Sequence, residues 1–189
     1  DGLARLPGLG AGDLAYFSGI TMAILPPDAR AALLAALAAA RAEGVTIAFD
    51  PNLRPRLWEG ADDMRHWISA GAAPADNTLP SHEDEAAHFG DADPGATAAR
   101  YAAAGARIVV VKNAGGPVQV RDGATWSEVL PNKVAEVVDT TAAGDSFNAA
   151  FLVAHLSGAS AAEGARAGCR LAARVVSARG ALVEAATRP

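Results

Sequence analysis

Short β-branched runs separated by long alanine-rich helical segments constrain this chain most. "LAYFSG" (14–19), "VTIAFD" (45–50) and "RIVVVK" (107–112) read as buried strands. Between them, "PDARAALLAALAAARAEG" (27–44) reads as a helix opened by Pro27 and Asp28 and closed by Gly44. A weaker helix covers about 61–72, and another alanine-rich one covers 95–105. "ADNTLPS" (75–81) reads as a short strand leading into a helix that Ser81 caps, with Asp84 at the capping-box position. Strands joined through helices of this length pair in parallel by right-handed crossovers. The expected fold is therefore α/β, a three-layer α/β/α sandwich with a mostly parallel sheet, forming a single lobe over 1–189. After residue 112, "PVQVRD" and "KVAEVVD" read as two further strands joined by turn-forming Asp122-Gly123, and two long helices near 144–157 and 160–178 finish the fold.

Composition removes several function classes. A chain of 189 residues that is 51% apolar can bury a substantial core. The formal charge of −5 argues against a nucleic-acid surface, which needs a clustered basic patch. Cys169 is the one cysteine, so neither a disulfide framework nor a cysteine zinc site can form within the chain. His66, His82, His88 and His155 show no close ligand spacing. There is no run of about 18 apolar residues and no signal-peptide pattern, so the expectation is a cytoplasmic protein without a membrane partner. "GLGAG" (8–12) precedes a strand rather than following one, and no Gly-x-x-x-x-Gly-Lys-Ser/Thr loop occurs. Both common glycine-rich nucleotide motifs are thereby excluded.

In parallel α/β sheets, ligands collect at the carboxyl ends of the strands. The chemistry-bearing residues fall there: Ser18-Gly19, Asp50 to Arg56, Lys112 to Gly116, and Asp139 to Asp145. "VVDTTAAGDSFNAAF" (137–151) reads as a strand ending at Val138, a turn of small residues, and a helix starting near Gly144 or Asp145. The first N–H groups of a helix lack intrahelical partners and sit at the positive end of its dipole, which makes them an anion site. Alanines and a glycine leave those amides accessible. A carboxylate there repels a phosphate, but it suits a general base acting on the hydroxyl that attacks one. The residues alone favour a second reading, in which Asp145 is a plain helix cap.

"DTTAAGDSF" (139–147) resembles the C-terminal signature of the PfkB, or ribokinase-like, carbohydrate kinases, an Asp-Thr-x-x-x-Gly-Asp-x-Phe pattern. The resemblance implies that Asp145 is the catalytic base and that residues Ala142, Ala143, Gly144 and Asp145 form the anion hole for the transferring phosphate. Ala142-Ala143 stands where many members have Gly-Ala, and an alanine there is tolerable if its φ is negative. "FDPNLRPRLW" (49–58) is similar to the Asp-x-Asn-x-Arg-x-x-Leu-Trp run of 2-keto-3-deoxygluconate kinases, whose substrate is an acidic sugar; "YFSGITMAIL" (16–25) and "VVVKNAGG" (109–116) also look like that subfamily. The likeness implies Ile20 and Arg54 on the sugar side, with Arg54 also steadying transferring charge. It implies Asn52, Lys112, Asn113, Gly115 and Gly116 on the nucleotide side. "LPSHEDEA" (79–86) corresponds to the family's Pro-Asn-x-x-Glu stretch, so Asp84 or Glu85 would act through water on Mg²⁺. "GCRLAARVVSARGA" (168–181), with Ala172, matches the helix and turn bordering the adenine and, in many members, a monovalent cation such as K⁺.

The implied activity is ATP- and Mg²⁺-dependent phosphorylation of a sugar hydroxyl, with 2-keto-3-deoxygluconate as the first choice of acceptor. Another PfkB kinase acting on ribose, fructose or a nucleoside is the alternative, as is a nucleotide-binding piece without activity. The expected partners are a small sugar or sugar acid and ATP, with homo-oligomerisation left open. The resemblance covers only the C-terminal part of a typical member, without its N-terminal region and β lid.

Overall fold

The computed structural model describes residues 8–181 and 183. The β-branched runs of the first part form β1 (Leu14–Ser18), β2 (Thr46–Asp50), β3 (Asn77–Thr78) and β4 (Ile108–Val111). They pair in parallel in chain order, with Phe17 opposite Phe49 and Ala48 opposite Asn77. Between them lie α1 (Gly19–Ala23), α2 (Pro27–Ala42), α3 (Ala61–Ala72), α4 (His82–Phe89) and α5 (Pro94–Ala103). By internal contacts the chain divides into two compact units, Asp1–Val111 and Lys112–Pro189.

In the first unit the strand order advances in one direction, so right-handed crossovers put α2, α3 and the α4–α5 pair on one face of the sheet. The period-two alternation of a strand then sorts the side chains. Phe17, Ile47, Phe49, Val109 and Val111 face those helices and pack with Leu37, Met64, Ile68, Ala72 and Tyr101 in one buried cluster. Phe17 and Phe49 stack with centroids 4.6 Å apart, and each buried ring of this kind stabilises the fold by about 1.5–3 kcal/mol. Tyr16, Ala48, Asp50 and Asn77 take the opposite face. Ser81 occupies the N-cap position of α4 as expected, but its side chain makes no capping hydrogen bond, so the capping box with Asp84 does not form.

The second unit departs further from expectation. Its hairpin turns at Asp122-Gly123, yet the partner of β5 (Val118–Asp122) is the adjacent β6 (Thr125–Val129), antiparallel, with Val118 opposite Val129. Residues 133–139, "KVAEVVD", form no strand. Val137 and Val138 are exposed, and the backbone N–H groups of Val138 and Asp139 donate to the Val176 carbonyl at the end of a helix. That helix is α7 (Ala161–Val176), which packs on α6 (Ala143–Leu156). Gly164 and Gly168, one turn apart on α7, receive the rings of Phe151 and Phe147, one turn apart on α6. A methyl on either glycine would stand within 3 Å of a ring carbon. Among the described residues, no helix is long and apolar enough to cross a membrane.

Candidate active site

The second unit carries the motif on which the sequence reading turned. Helix α6 begins at Ala143, and its N-cap is Ala142. Ala142 adopts φ 59° and ψ 11°, the left-handed region, so the negative φ that would make an alanine easy to tolerate there is not met. The conformation turns the chain sharply into the helix: the Ala143 N–H donates to the Thr140 carbonyl, and the Ser146 N–H donates to that of Ala142. The next amides, of Gly144 and Asp145, belong to the first turn, where no i−4 carbonyl is available. Asp145 is exposed in that turn. Upstream, the Asp139 carboxylate accepts from the Thr141 N–H at 2.8 Å and from the Gly180 N–H at 2.9 Å. These bonds, with one from the Thr141 side chain, hold its pKa down at about 2. Asp139 thereby ties the approach to α6 to the turn after α7.

Two side chains complete this corner. Lys112 donates from Nζ to the Asn148 Oδ1 at 3.0 Å. A methyl built on Gly144 would lie 3.8 Å from the same Nζ, so the ammonium stands at the first turn of α6. Asn148 is 2% exposed. Sequence reasoning passed over it, although it lies four residues after Gly144, the spacing that stacks two residues on one helix face. Its signal was a polar residue between Phe147 and Phe151 on the packed side of α6. Asn113 and Gly116 close a tight turn after Lys112, with the Gly116 N–H donating to the Asn113 carbonyl at 2.7 Å. Ala114 within this turn is also left-handed, at φ 44°. A positive φ in a non-glycine residue costs on the order of 1–2 kcal/mol, and such outliers concentrate at functional sites. Residues Asn132–Ala135, Arg170, Ala173 and Arg174 on α7, and Ser177 at its C-cap line an open depression of about 720 Å³. That volume falls within the range of small-molecule sites. Ala172 is half-buried on α7 and does not line the depression.

The first unit holds the other expected residues. Gly19 opens α1 so close to the next loop that a methyl there would lie 1.9 Å from the Pro51 carbonyl oxygen. Ile20 follows, half-buried. Asp50 is 3% exposed; its Oδ2 accepts from the Tyr16 hydroxyl at 3.2 Å and its Oδ1 from the Asn52 N–H at 3.2 Å. Asn52 takes a left-handed φ of 35°. Arg54 is exposed beyond buried Leu53, and its Nη1 donates to the Leu53 carbonyl at 2.7 Å.

The Mg²⁺ expectation fares differently at its two residues. Asp84 is half-buried on α4. Glu85 is fully buried, accepting from the Tyr101 hydroxyl at 2.8 Å and from Arg100 at 2.6 Å. Arg100 also pairs with Asp91 and lies over the Phe89 ring. Burial pushes the Glu85 carboxyl up to about 7, against the lowering pull of Arg100 and the Tyr101 hydrogen bond. Burial also opposes the Arg100 charge, but the bond to Asp91 and the surrounding negative groups outweigh it. Glu85 is thus an interior anchor joining α4 to α5, which corrects its assignment as a metal ligand. No cluster of three or more His, Cys, Asp or Glu fit for a metal occurs among the described residues.

The model of the pfkB family of carbohydrate kinases matches residues 5–187. The chain is 38% identical over 180 residues to the 2-dehydro-3-deoxygluconokinase of Dickeya dadantii (strain 3937) and 35% identical over 180 residues to that of Escherichia coli (strain K12). Each match covers 94% of this chain and 58% of the relative, so the chain spans well under two thirds of their length. Among solved structures, the aminoimidazole riboside kinase of Salmonella enterica, complexed with aminoimidazole riboside and an ATP analogue, superposes with a TM-score of 0.81. Identity there is 26%, over 93% of this chain and 60% of that one. The expected α/β class and its three-layer ribokinase-like form hold. The chain belongs to the pfkB family of carbohydrate kinases.

Proposed function

We propose that this chain supplies the nucleotide-binding and catalytic lobe of an ATP-dependent kinase that phosphorylates 2-dehydro-3-deoxygluconate at its primary hydroxyl, giving the 6-phosphate. The observation that carries the reading is the first turn of α6. The first-turn amides of Gly144 and Asp145 follow left-handed Ala142, Asp145 is exposed there, and the Lys112 ammonium is held alongside by Asn148. Asp145 takes the proton of the acceptor hydroxyl as it attacks the γ-phosphate in line. The amides of 142–145 and the Lys112 charge meet the negative charge spread over the transferring group. Mg²⁺, when bound with ATP, neutralises the phosphate oxygens. Arg54 offers a planar fork suited to the carboxylate of a sugar acid. Asn113, Gly115 and Gly116 let the backbone approach the nucleotide. The relatives named above support the acceptor, and the ATP analogue named for the Salmonella kinase supports the donor.

The test is phosphoryl transfer by the protein expressed from its complete reading frame, comparing wild type with Asp145→Asn. The expected result is a kcat lower by on the order of 10²–10⁴-fold with ATP binding retained. A variant that turns over at close to the wild-type rate would remove Asp145 from the role of base. The similarity to a riboside kinase supports a second reading, a neutral acceptor. A panel of sugars separates the two, because a sugar acid needs Arg54 or Arg56 and a neutral sugar does not.

A further inference from the structure

Arg30 is a surface-type residue in the first turns of α2, yet it is 4% exposed. Its Nε donates to the carbonyls of Met22 and Leu25 at 2.9 Å each, and its Nη2 to that of Ala23 at 3.4 Å. The Met22 and Ala23 carbonyls end α1, the helix that carries Ile20, and Leu25 lies just beyond it. Its Nη1 donates to both carboxylate oxygens of Asp63 on α3, at 3.1 and 3.3 Å. The guanidinium carbon also lies over two indoles, 5.0 Å from the Trp58 centroid and 5.5 Å from that of Trp67. Guanidinium is suited to such a place because its planar face stacks on aromatic rings while its edge still donates.

Trp58 closes the segment that begins at Asp50. One end of that segment is fixed by the Asp50 bonds and buried Leu53, and the other by buried Trp58. The span between, Arg54 to Leu57, is exposed. The Trp58 indole N–H has no hydrogen-bond partner among the described residues, so contact with Arg30 and packing must hold it. A single guanidinium therefore grips the two loops that follow β1 and β2.

We propose that Arg30 is a positioning residue for the acceptor side, holding the Ile20 helix and the Arg54 loop in one fixed relation. This rests on the kinase reading above, in which Ile20 and Arg54 serve the sugar. Loss of Arg30 frees the loop end at Trp58 and the end of α1 together, without touching the Lys112–Asn148 corner. The methylene stem of a methionine fills part of the space but makes none of the bonds. A lysine keeps a donor for the carbonyls but has no planar face for the indoles.

The experiment compares Arg30→Met and Arg30→Lys with wild type, in the protein from its complete reading frame. Steady-state kinetics are read beside limited trypsin digestion. Arg56 precedes Leu57 and is open to trypsin, whereas Arg54 precedes Pro55 and resists it. The expected result for Arg30→Met is an acceptor KM raised on the order of tenfold with the MgATP KM within about twofold, and faster nicking after Arg56. Arg30→Lys should fall between, and it carries the test if the methionine variant does not fold. If both KM values moved together, or nicking and acceptor KM stayed at wild-type levels while only the thermal midpoint dropped, Arg30 would be a packing residue and the proposal would fail. Wild type inactive on every sugar acid would instead overturn the acceptor assignment, and the nicking contrast would still decide whether Arg30 holds the loop.

Discussion

The two units fix their expected ligand residues by opposite means. In the first, exposed Arg54 sits in a loop pinned at each end by a buried side chain: Asp50, bonded by exposed Tyr16, at one, and Trp58 beneath Arg30 at the other. In the second, the α6 corner is set mainly by backbone conformation, with two alanines in the left-handed region, a carboxylate bonded to main-chain N–H groups, and small residues wherever the amides are bare. On the proposed kinase reading, the difference follows from what each would hold. A phosphate is gripped by amides, so side chains must be kept away. A sugar acid is gripped by a long side chain, whose reach is useful only if its base is anchored.

Two glycine-to-alanine changes break this comparison most severely. In Gly19→Ala the new methyl meets the Pro51 carbonyl oxygen at 1.9 Å, a backbone atom that cannot step aside. Overpacking of that kind costs about 3 kcal/mol or more, so urea titration should show a strongly destabilised or unfolded protein. In Gly144→Ala the nearest atom is the Lys112 Nζ at 3.8 Å. Helix propensity there favours alanine by roughly 0.5–1 kcal/mol, so the fold should hold or gain. The methyl nevertheless stands where phosphate would approach the amides, and the MgATP KM should rise on the order of tenfold. A Gly144→Ala enzyme with wild-type MgATP KM would refute the assignment of that turn to phosphate.

Much of this was legible in the sequence, because the alternation of strands and helices depends on local patterns. Strands β1 to β4 and helices α2 to α5 lie where those patterns put them, while the short helix α1 went unread. What failed was tertiary. "KVAEVVD" has the β-branched composition of a strand, but its amides find the end of α7 instead of a neighbouring strand. "TWSEV" was the better partner for "PVQVRD", since Asp122-Gly123 makes a tight hairpin that pairs adjacent residues. Glu85 read as a ligand because "LPSHEDEA" corresponds to the family's Pro-Asn-x-x-Glu stretch. Only the folded chain shows Tyr101 and Arg100 closing over it. The left-handed φ of Ala142 could not be read at all, since alanine itself prefers the opposite sign.

A sharper test uses two carboxylates shifted in opposite directions. Glu85 has a folded pKa raised to about 7 from 4.5, so its relative stabilisation is complete below pH 4.5 and is lost as pH rises toward 7. The shift corresponds to a loss on the order of 3 kcal/mol across that window. Asp139 has a folded pKa lowered to about 2 from 3.8, so its contribution is present above 3.8 and is lost as pH falls toward 2. Acidification should therefore strengthen the first unit between pH 7 and 4.5 and loosen the α6 corner only below about 4. Denaturation across pH should show a slope between 4.5 and 7 that Glu85→Gln removes, since glutamine still accepts from Tyr101. If the slope survived in that variant, the buried Glu85 would not be its source.

The smallest effect discriminates most finely. At Ala142, φ 59° costs an L-residue about 1–2 kcal/mol relative to a helical conformation. Glycine escapes that cost but gives back about 0.4–1 kcal/mol through the greater freedom of its unfolded chain. Ala142→Gly should therefore stabilise the protein by about 0.5 kcal/mol. Ala149, exposed within the same helix, supplies the control: Ala149→Gly should destabilise by about 1 kcal/mol. Opposite signs for one substitution, seven residues apart, would locate the strain in the backbone of the turn. Like signs would mean that Ala142 carries no such strain in solution, and the contrast between a side-chain-held and a backbone-held half would lose its firmest support. Kinetics on the same variant ask what the strain is for. If glycine raises stability while the MgATP KM also rises, the rigid alanine turn holds the amides in place for phosphate at the expense of folding energy.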